Sequence, residues 1–173
     1  MQPIILLLLS WAWPITGAVT PEYKVPPGQP KVKLHGGSVV SGVVDHNYSA
    51  VRQFLGVPFA QPPIEELRWE APRANRLPRS VDATAYGRSC TQFLPTEPNM
   101  FNTDLPEFNL PETNTTGEDC LTLSLWTPQQ AKKLPVIVFF YGGGWYTGGQ
   151  ATPYLLPTQW VQRTKDLIVV APK

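Results

Sequence analysis

The chain has 173 residues, 42% of them hydrophobic and 16% charged, with a formal net charge of +1 at neutral pH. Nothing in that balance supplies the clustered Lys and Arg that nucleic acid or an acidic membrane surface would require. The length suits about one domain, and 20 prolines favour extended connections over long uninterrupted helices.

The N-terminus carries an apolar run at residues 4–9, continued by Trp11, Trp13 and Ile15. It is shorter than the roughly 20 apolar residues of a membrane-spanning helix. Thr16, Gly17 and Ala18 are small enough for a signal peptidase. Residues 1–18 are therefore expected to be a secretory signal peptide, cleaved after Ala18, and residues 19–173 the mature domain. No Lys or Arg precedes the run, so a hydrophobic strand or anchor is the other reading. Secretion agrees with an even cysteine count, Cys90 and Cys120, suited to one disulfide in an oxidising compartment. It also agrees with two glycosylation triplets, Asn47-Tyr48-Ser49 and Asn114-Thr115-Thr116, neither with a central proline.

Residues 20–30 form a proline-rich lead-in. Residues 31–45 read as a hairpin: Val32 and Leu34 alternate with lysines, His35-Gly36-Gly37 can turn, and a Val-rich stretch follows. Residues 51–59 make a third extended segment, and short adjacent strands favour antiparallel pairing. Residues 58–78 are irregular, broken by prolines at 58, 62, 63, 72 and 78. Residues 82–90 hold a helical turn or nothing regular. Residues 91–117 are a long polar loop, and loops of this length are usually functional or tied down. Cys90 and Cys120 bracket it, so a disulfide between them would tie its base.

Residues 121–126 are a strand candidate. Residues 136–141 are a continuous apolar run, as for a strand buried on both faces. Gly142, Gly143 and Gly144 stop it. A short helix is expected within residues 152–165, with Trp160 and Val161 on its inner face, and a buried strand at residues 167–171.

The order strand, three glycines, Trp145, then Gly148 and Gly149 is the most informative local feature. Glycine has no Cβ, so the main chain can approach a ligand closely. Two N–H groups aimed at one point can stabilise an oxyanion during acyl transfer. A flexible turn uses the same residues. A phosphate-binding loop fits less well, because neither Gly-x-x-x-x-Gly-Lys-Ser/Thr nor a complete Gly-x-Gly-x-x-Gly with its helix and acid is present.

Two further stretches bear on that choice. One is Phe54-Leu-Gly-Val-Pro-Phe-Ala-Gln-Pro-Pro63, followed by Leu67-Arg68-Trp69 and Pro72. The other is Glu118-Asp119-Cys120-Leu-Thr-Leu-Ser-Leu-Trp-Thr-Pro128. With Tyr141-Gly-Gly-Gly-Trp145, they resemble the type-B carboxylesterase/lipase family, which includes cholinesterases and fungal esterases. The resemblance runs from about Val32 to Val170. It implies a partial α/β-hydrolase fold, with an N-terminal antiparallel hairpin and the first strands of the central mixed sheet. It implies that Gly143 and Gly144 donate backbone N–H groups to an oxyanion hole, that Gly142 shapes the turn, and that Trp145 lines the acyl side of the pocket. Cys90 and Cys120 match the family's first disulfide. Arg68 matches an arginine often paired with an acid, here given a structural role. The substrate would be a small-molecule or lipid carboxylic ester, attacked by a serine, with no metal or cofactor.

The departures matter as much. The family nucleophile sits in Gly-x-Ser-x-Gly, with an acid and a His later, and no such pentapeptide occurs here. Gly36-Gly37-Ser38 and Gly87-Arg88-Ser89 lack the closing glycine. The only histidines, His35 and His46, precede the glycine loop and read as surface residues. Ala171-Pro172-Lys173 stands where an Asn-Tyr-Arg segment is usual, and Glu65 where a glycine is common. No tryptophan lies between the cysteines, and Phe101 is a weaker aromatic face for a quaternary ammonium. This argues against choline esters. The chain is therefore expected to be the N-terminal portion of a secreted serine esterase, cut before the nucleophile and inactive alone. The alternatives are a non-catalytic secreted or cell-surface binding module of the same fold, or a fragment without function.

Overall fold

The structure is a computed structural model that describes residues 29–95, 97–111 and 116–173. The signal-peptide expectation for residues 1–18 and the triplet at Asn114 lie outside the described residues.

Among the described residues, seven strands form two sheets. The small sheet contains β1 (Lys31–Lys33), β2 (Val39–Ser41) and β4 (Ser80–Asp82), in the order β1-β2-β4. The expected hairpin is present: β1 and β2 are antiparallel, with Val32 opposite Val40. The other neighbour of β2 is β4, which runs parallel to it.

The large sheet contains β3 (Val51–Pro58), β5 (Thr122–Pro128), β7 (Ile168–Pro172) and β6 (Val136–Val138), in the order β3-β5-β7-β6. β3, β5 and β7 pair antiparallel, while β6 runs parallel to β7. The sheet is thus mixed, and the fold is the expected α/β class. β3 leaves the hairpin for this sheet, and an antiparallel bridge between Val43 and Gln53 joins the two. The β3–β5 register shifts between Phe54 and Val57, where the Gly56 N–H donates to Ser124 Oγ at 3.2 Å.

Alternation along β3 and β5 separates two cores. Val51, Leu55 and Trp126 face one way, with Val169 and Ala171 of β7, and are covered by Val161. Phe54 and Leu125 face the other way, against Val40 and Val81 of the small sheet. The large sheet is therefore a middle layer between the small sheet and helix α2 (Thr158–Thr164). β6, α2 and β7 form a strand–helix–strand crossover, which a parallel pair requires.

Two expectations need correction. Residues 136–141 are not a strand buried on both faces: β6 spans only Val136–Val138, and Val136 and Val138 are more than half exposed. β6 is an edge of the sheet, and apolar sequence alone does not provide the elements that must cover it. Trp160 is not on the inner face of α2; it is exposed while Val161 is fully buried. Adjacent residues on a helix point about 100° apart and cannot share a narrow buried stripe. Of the two readings given for residues 82–90, the second holds: beyond the end of β4 they contain no helical turn.

The long loop at residues 91–117 carries a one-turn helix, α1 (Met100–Thr103), capped reciprocally by Asn99 and Asn102. A 3-10 turn follows at Pro106–Phe108. Cys90 and Cys120 form the disulfide that ties its base, with Cα atoms 5.0 Å apart.

Candidate active site

The site is built at the C-terminal end of β6, where the chain leaves the sheet to begin its crossover. In open α/β sheets this is where ligands bind. The Phe139 N–H still donates to the Val170 carbonyl at 2.8 Å; beyond it the backbone leaves the ladder.

The glycine stretch then closes a compact loop on itself. The Gly143 carbonyl accepts from the N–H groups of Tyr146 (3.3 Å) and Thr147 (3.2 Å). Gly143 has φ +153°, and an ideal Cβ on it would lie 1.8 Å from the Thr147 carbonyl oxygen. No side chain fits there. A Cβ on Gly148 (φ +118°) would lie 2.5 Å from the Gly142 carbonyl oxygen, so the exit of the loop is packed on its entrance. Trp145 adopts φ +64° with its ring wholly exposed. Among the described residues, the N–H groups of Gly143 and Gly144 donate to no protein acceptor. They are therefore available to a ligand oxygen.

A segment distant in sequence braces this loop. Gln92 Oε1 accepts from the Gly148 N–H (2.7 Å) and from Thr147 Oγ1 (3.0 Å). Its Nε2 donates to the carbonyls of Gly148 (2.9 Å) and Cys90 (3.1 Å). The Phe93 N–H donates to the Tyr146 carbonyl at 3.2 Å. The disulfide fixes Cys90, and through it the bracing segment.

The loop partitions two cavities. One, of about 600 Å³, is lined by residues 141–148 and by Cys90, Thr91 and Gln92. The other, of about 540 Å³, reaches Gly142, Gly143 and Gly144 from the opposite side, with an aromatic wall. In that wall Phe108 stacks on Tyr154 with ring centroids 4.1 Å apart, and Phe101 meets Phe108 edge-on. Phe101 thus belongs to the wall. Burial raises the phenol pKa of Tyr141 at the loop entrance, so it stays neutral at physiological pH.

Other candidates lie apart from this centre. His46 is almost fully exposed beside Asp45, and His35 is exposed on the hairpin. Arg68 pairs with Glu118 at 3.4 Å on the surface. Glu65 keeps a left-handed conformation, φ +48°, so the backbone turn persists without glycine. Asn47 is exposed and available to a glycan. Gln92 is the residue that sequence reasoning missed. It lies 56 positions from its main partner, and no local pattern announces such a contact.

A mixed sheet with a braced glycine loop after a parallel strand fits the α/β-hydrolase fold, and the comparisons with known proteins agree. The chain belongs to the carboxylesterase family, whose model matches residues 28–173. It is 37% identical over 137 residues to the chlorogenic acid esterase of Aspergillus niger, a match covering 76% of this chain and 26% of that protein. It is 36% identical over 141 residues to secreted lipase 5 of Gibberella zeae, covering 73% and 26%. Among solved structures, Aspergillus niger EstA superposes with a TM-score of 0.64 at 28% identity, over 84% of this chain and 25% of that one. A PNB esterase superposes at 0.67 and 27% identity, over 84% and 28%. The chain spans about a sixth to a quarter of the length of the curated relatives it matches.

Proposed function

We propose that these residues are the oxyanion-hole portion of a secreted serine-type carboxylic ester hydrolase, and that they are inactive without the residues that carry the nucleophile. The observation that carries this reading is the pair of unpartnered N–H groups at Gly143 and Gly144, held at the end of β6 in a loop that admits no Cβ at Gly143. Such donors act where negative charge develops on the carbonyl oxygen as a serine attacks. Gly142 turns the chain, and Trp145, which nothing among the described residues covers, is assigned to the acyl wall. The substrate is a small-molecule or lipid carboxylic ester. Secretion is supported by the Cys90–Cys120 disulfide, by exposed Asn47 as a glycan acceptor, and by the name of one relative, secreted lipase 5.

The test uses the 173-residue chain beside the full-length product, with a fluorophosphonate that labels activated serines and an aryl acetate as substrate. The full-length protein is expected to take the label and turn over the ester, and the short chain to do neither. Turnover by the short chain would sink the claim that it lacks the machinery. A folded full-length protein that takes no label would establish the other reading, a non-catalytic binding module of the same fold.

A further inference from the structure

We propose that Gln92 is the positioning residue of the glycine loop, setting the direction of the Gly143 and Gly144 N–H groups without touching the substrate. The inference rests on the oxyanion reading above and adds a residue to it.

The first link is the valence of the side chain. A carboxamide has two N–H donors and two acceptor lone pairs, and all four are used: Oε1 by the Gly148 N–H and Thr147 Oγ1, Nε2 by the carbonyls of Gly148 and Cys90. Both polar groups of Gly148 are held by one side chain, so this residue is paired as it would be in a sheet ladder, with a glutamine in place of a strand. The second link is steric. Gly148 lies against the Gly142 carbonyl oxygen, with no room for a Cβ between them, so fixing Gly148 fixes the start of the glycine run. The third is the turn itself, in which Thr147, whose hydroxyl Gln92 holds, donates its N–H to the Gly143 carbonyl at 3.2 Å. That carbonyl belongs to the same peptide unit as the Gly144 N–H. Rotating the unit moves the donor as well.

The loop cannot hold this geometry through the two donors, because they are left free. Nor does it have a buried apolar anchor, since Trp145 and Tyr146 are exposed. Among the described residues Gln92 gives this loop three side-chain hydrogen bonds and is fastened to the disulfide through the Cys90 carbonyl, while the Phe93 ring lies beside Tyr146.

The experiment compares Gln92→Met, Gln92→Glu and wild type in the full-length protein. Gln92→Met keeps the chain length and removes all four bonds. Gln92→Glu, ionised, keeps the two acceptor bonds and loses both donor bonds. Misplaced donors weaken transition-state binding, so kcat is expected to fall about 100-fold in Gln92→Met with KM little changed. Affinity for a trifluoromethyl ketone, whose serine adduct carries an oxyanion, should fall in parallel. Gln92→Glu is expected to fall between the two. Hydrogen exchange supplies a readout independent of activity: in Gln92→Met the peptide covering residues 142–149 should exchange about tenfold faster, with peptides of β5 and β7 unchanged. If Gln92→Met does not fold, Gln92→Glu carries the same readouts. A wild type that hydrolyses no ester refutes the esterase reading, while the exchange comparison still decides whether Gln92 fixes the loop. Unchanged exchange, or an active wild type whose variants keep kcat and ketone affinity, overturns the proposal.

Discussion

The carbonyl oxygen of Thr147 occupies the space where a side-chain carbon on Gly143 would have to sit, 1.8 Å from an ideal Cβ. The two residues are locked together by the Thr147 N–H to Gly143 carbonyl bond, so the clash cannot be relieved by moving one of them. The three glycines are consequently not equivalent. Gly142→Ala meets open space and should change stability by less than about 0.5 kcal/mol. Gly144→Ala places a Cβ 3.0 Å from the exposed Tyr146 ring at φ +63°, costing about 1–2 kcal/mol for the left-handed backbone. Gly143→Ala forces backbone to move and should cost most, with ester turnover falling in the same order. Urea unfolding with parallel kinetics on the full-length protein checks the ranking.

Removing the disulfide should loosen both the long loop and the brace. The cysteines are 30 residues apart, and the chain-entropy model assigns such a closure about 3–4 kcal/mol. Cys90→Ala/Cys120→Ala should lose about that much, and limited proteolysis should then cut within residues 91–117. Equal stability and an intact digestion pattern would contradict this.

The Arg68–Glu118 pair is expected to contribute little. Both side chains are substantially exposed, and water screens such pairs to about 0–1 kcal/mol. Arg68→Met and Glu118→Gln should each change the urea midpoint only slightly, and a double-mutant cycle should give a coupling that shrinks with added salt.

Glu65 carries backbone strain of another kind. At φ +48° a residue with a Cβ pays about 1–2 kcal/mol, whereas glycine costs unfolded-chain entropy of about 0.4–1 kcal/mol. Glu65→Gly should therefore be neutral or stabilising, by up to about 1.6 kcal/mol, when measured by thermal unfolding.

Lys173 gives the pH signature. Its Nζ donates to the carbonyls of Gly87 and Arg88, and burial lowers its pKa to about 8, from 10.5. Between those values the unfolded chain binds more protons than the folded one, so this group makes stability rise with pH from about 8 to 10.5. Below 8 both states are protonated and its slope vanishes. Lys173→Met should remove that rise from the urea midpoint measured across the same range.

What the sequence disclosed follows the range of the forces involved. The glycine loop was legible because missing Cβ atoms are a local property that no distant contact creates. The β1–β2 hairpin was legible for the same reason: alternation and a turn are encoded within residues 31–41. The exposure of β6 was not, since a run of Val and Ile reads alike whether or not other elements cover it. The parallel β2–β4 pairing lies across the proline-broken residues 58–78, where no period signals a partner. Gln92 was invisible because its importance comes from four acceptors and donors assembled in space. Trp160 is apolar, but its angular position on α2, next to fully buried Val161, turns it towards solvent.

The most direct measurement of the central claim is a crystal structure of the full-length protein inactivated by a phosphonate ester. The account predicts a serine adduct whose phosphoryl oxygen lies about 2.7–3.1 Å from the backbone nitrogens of both Gly143 and Gly144. An adduct oxygen that contacts neither, with the loop in the conformation described, would contradict it.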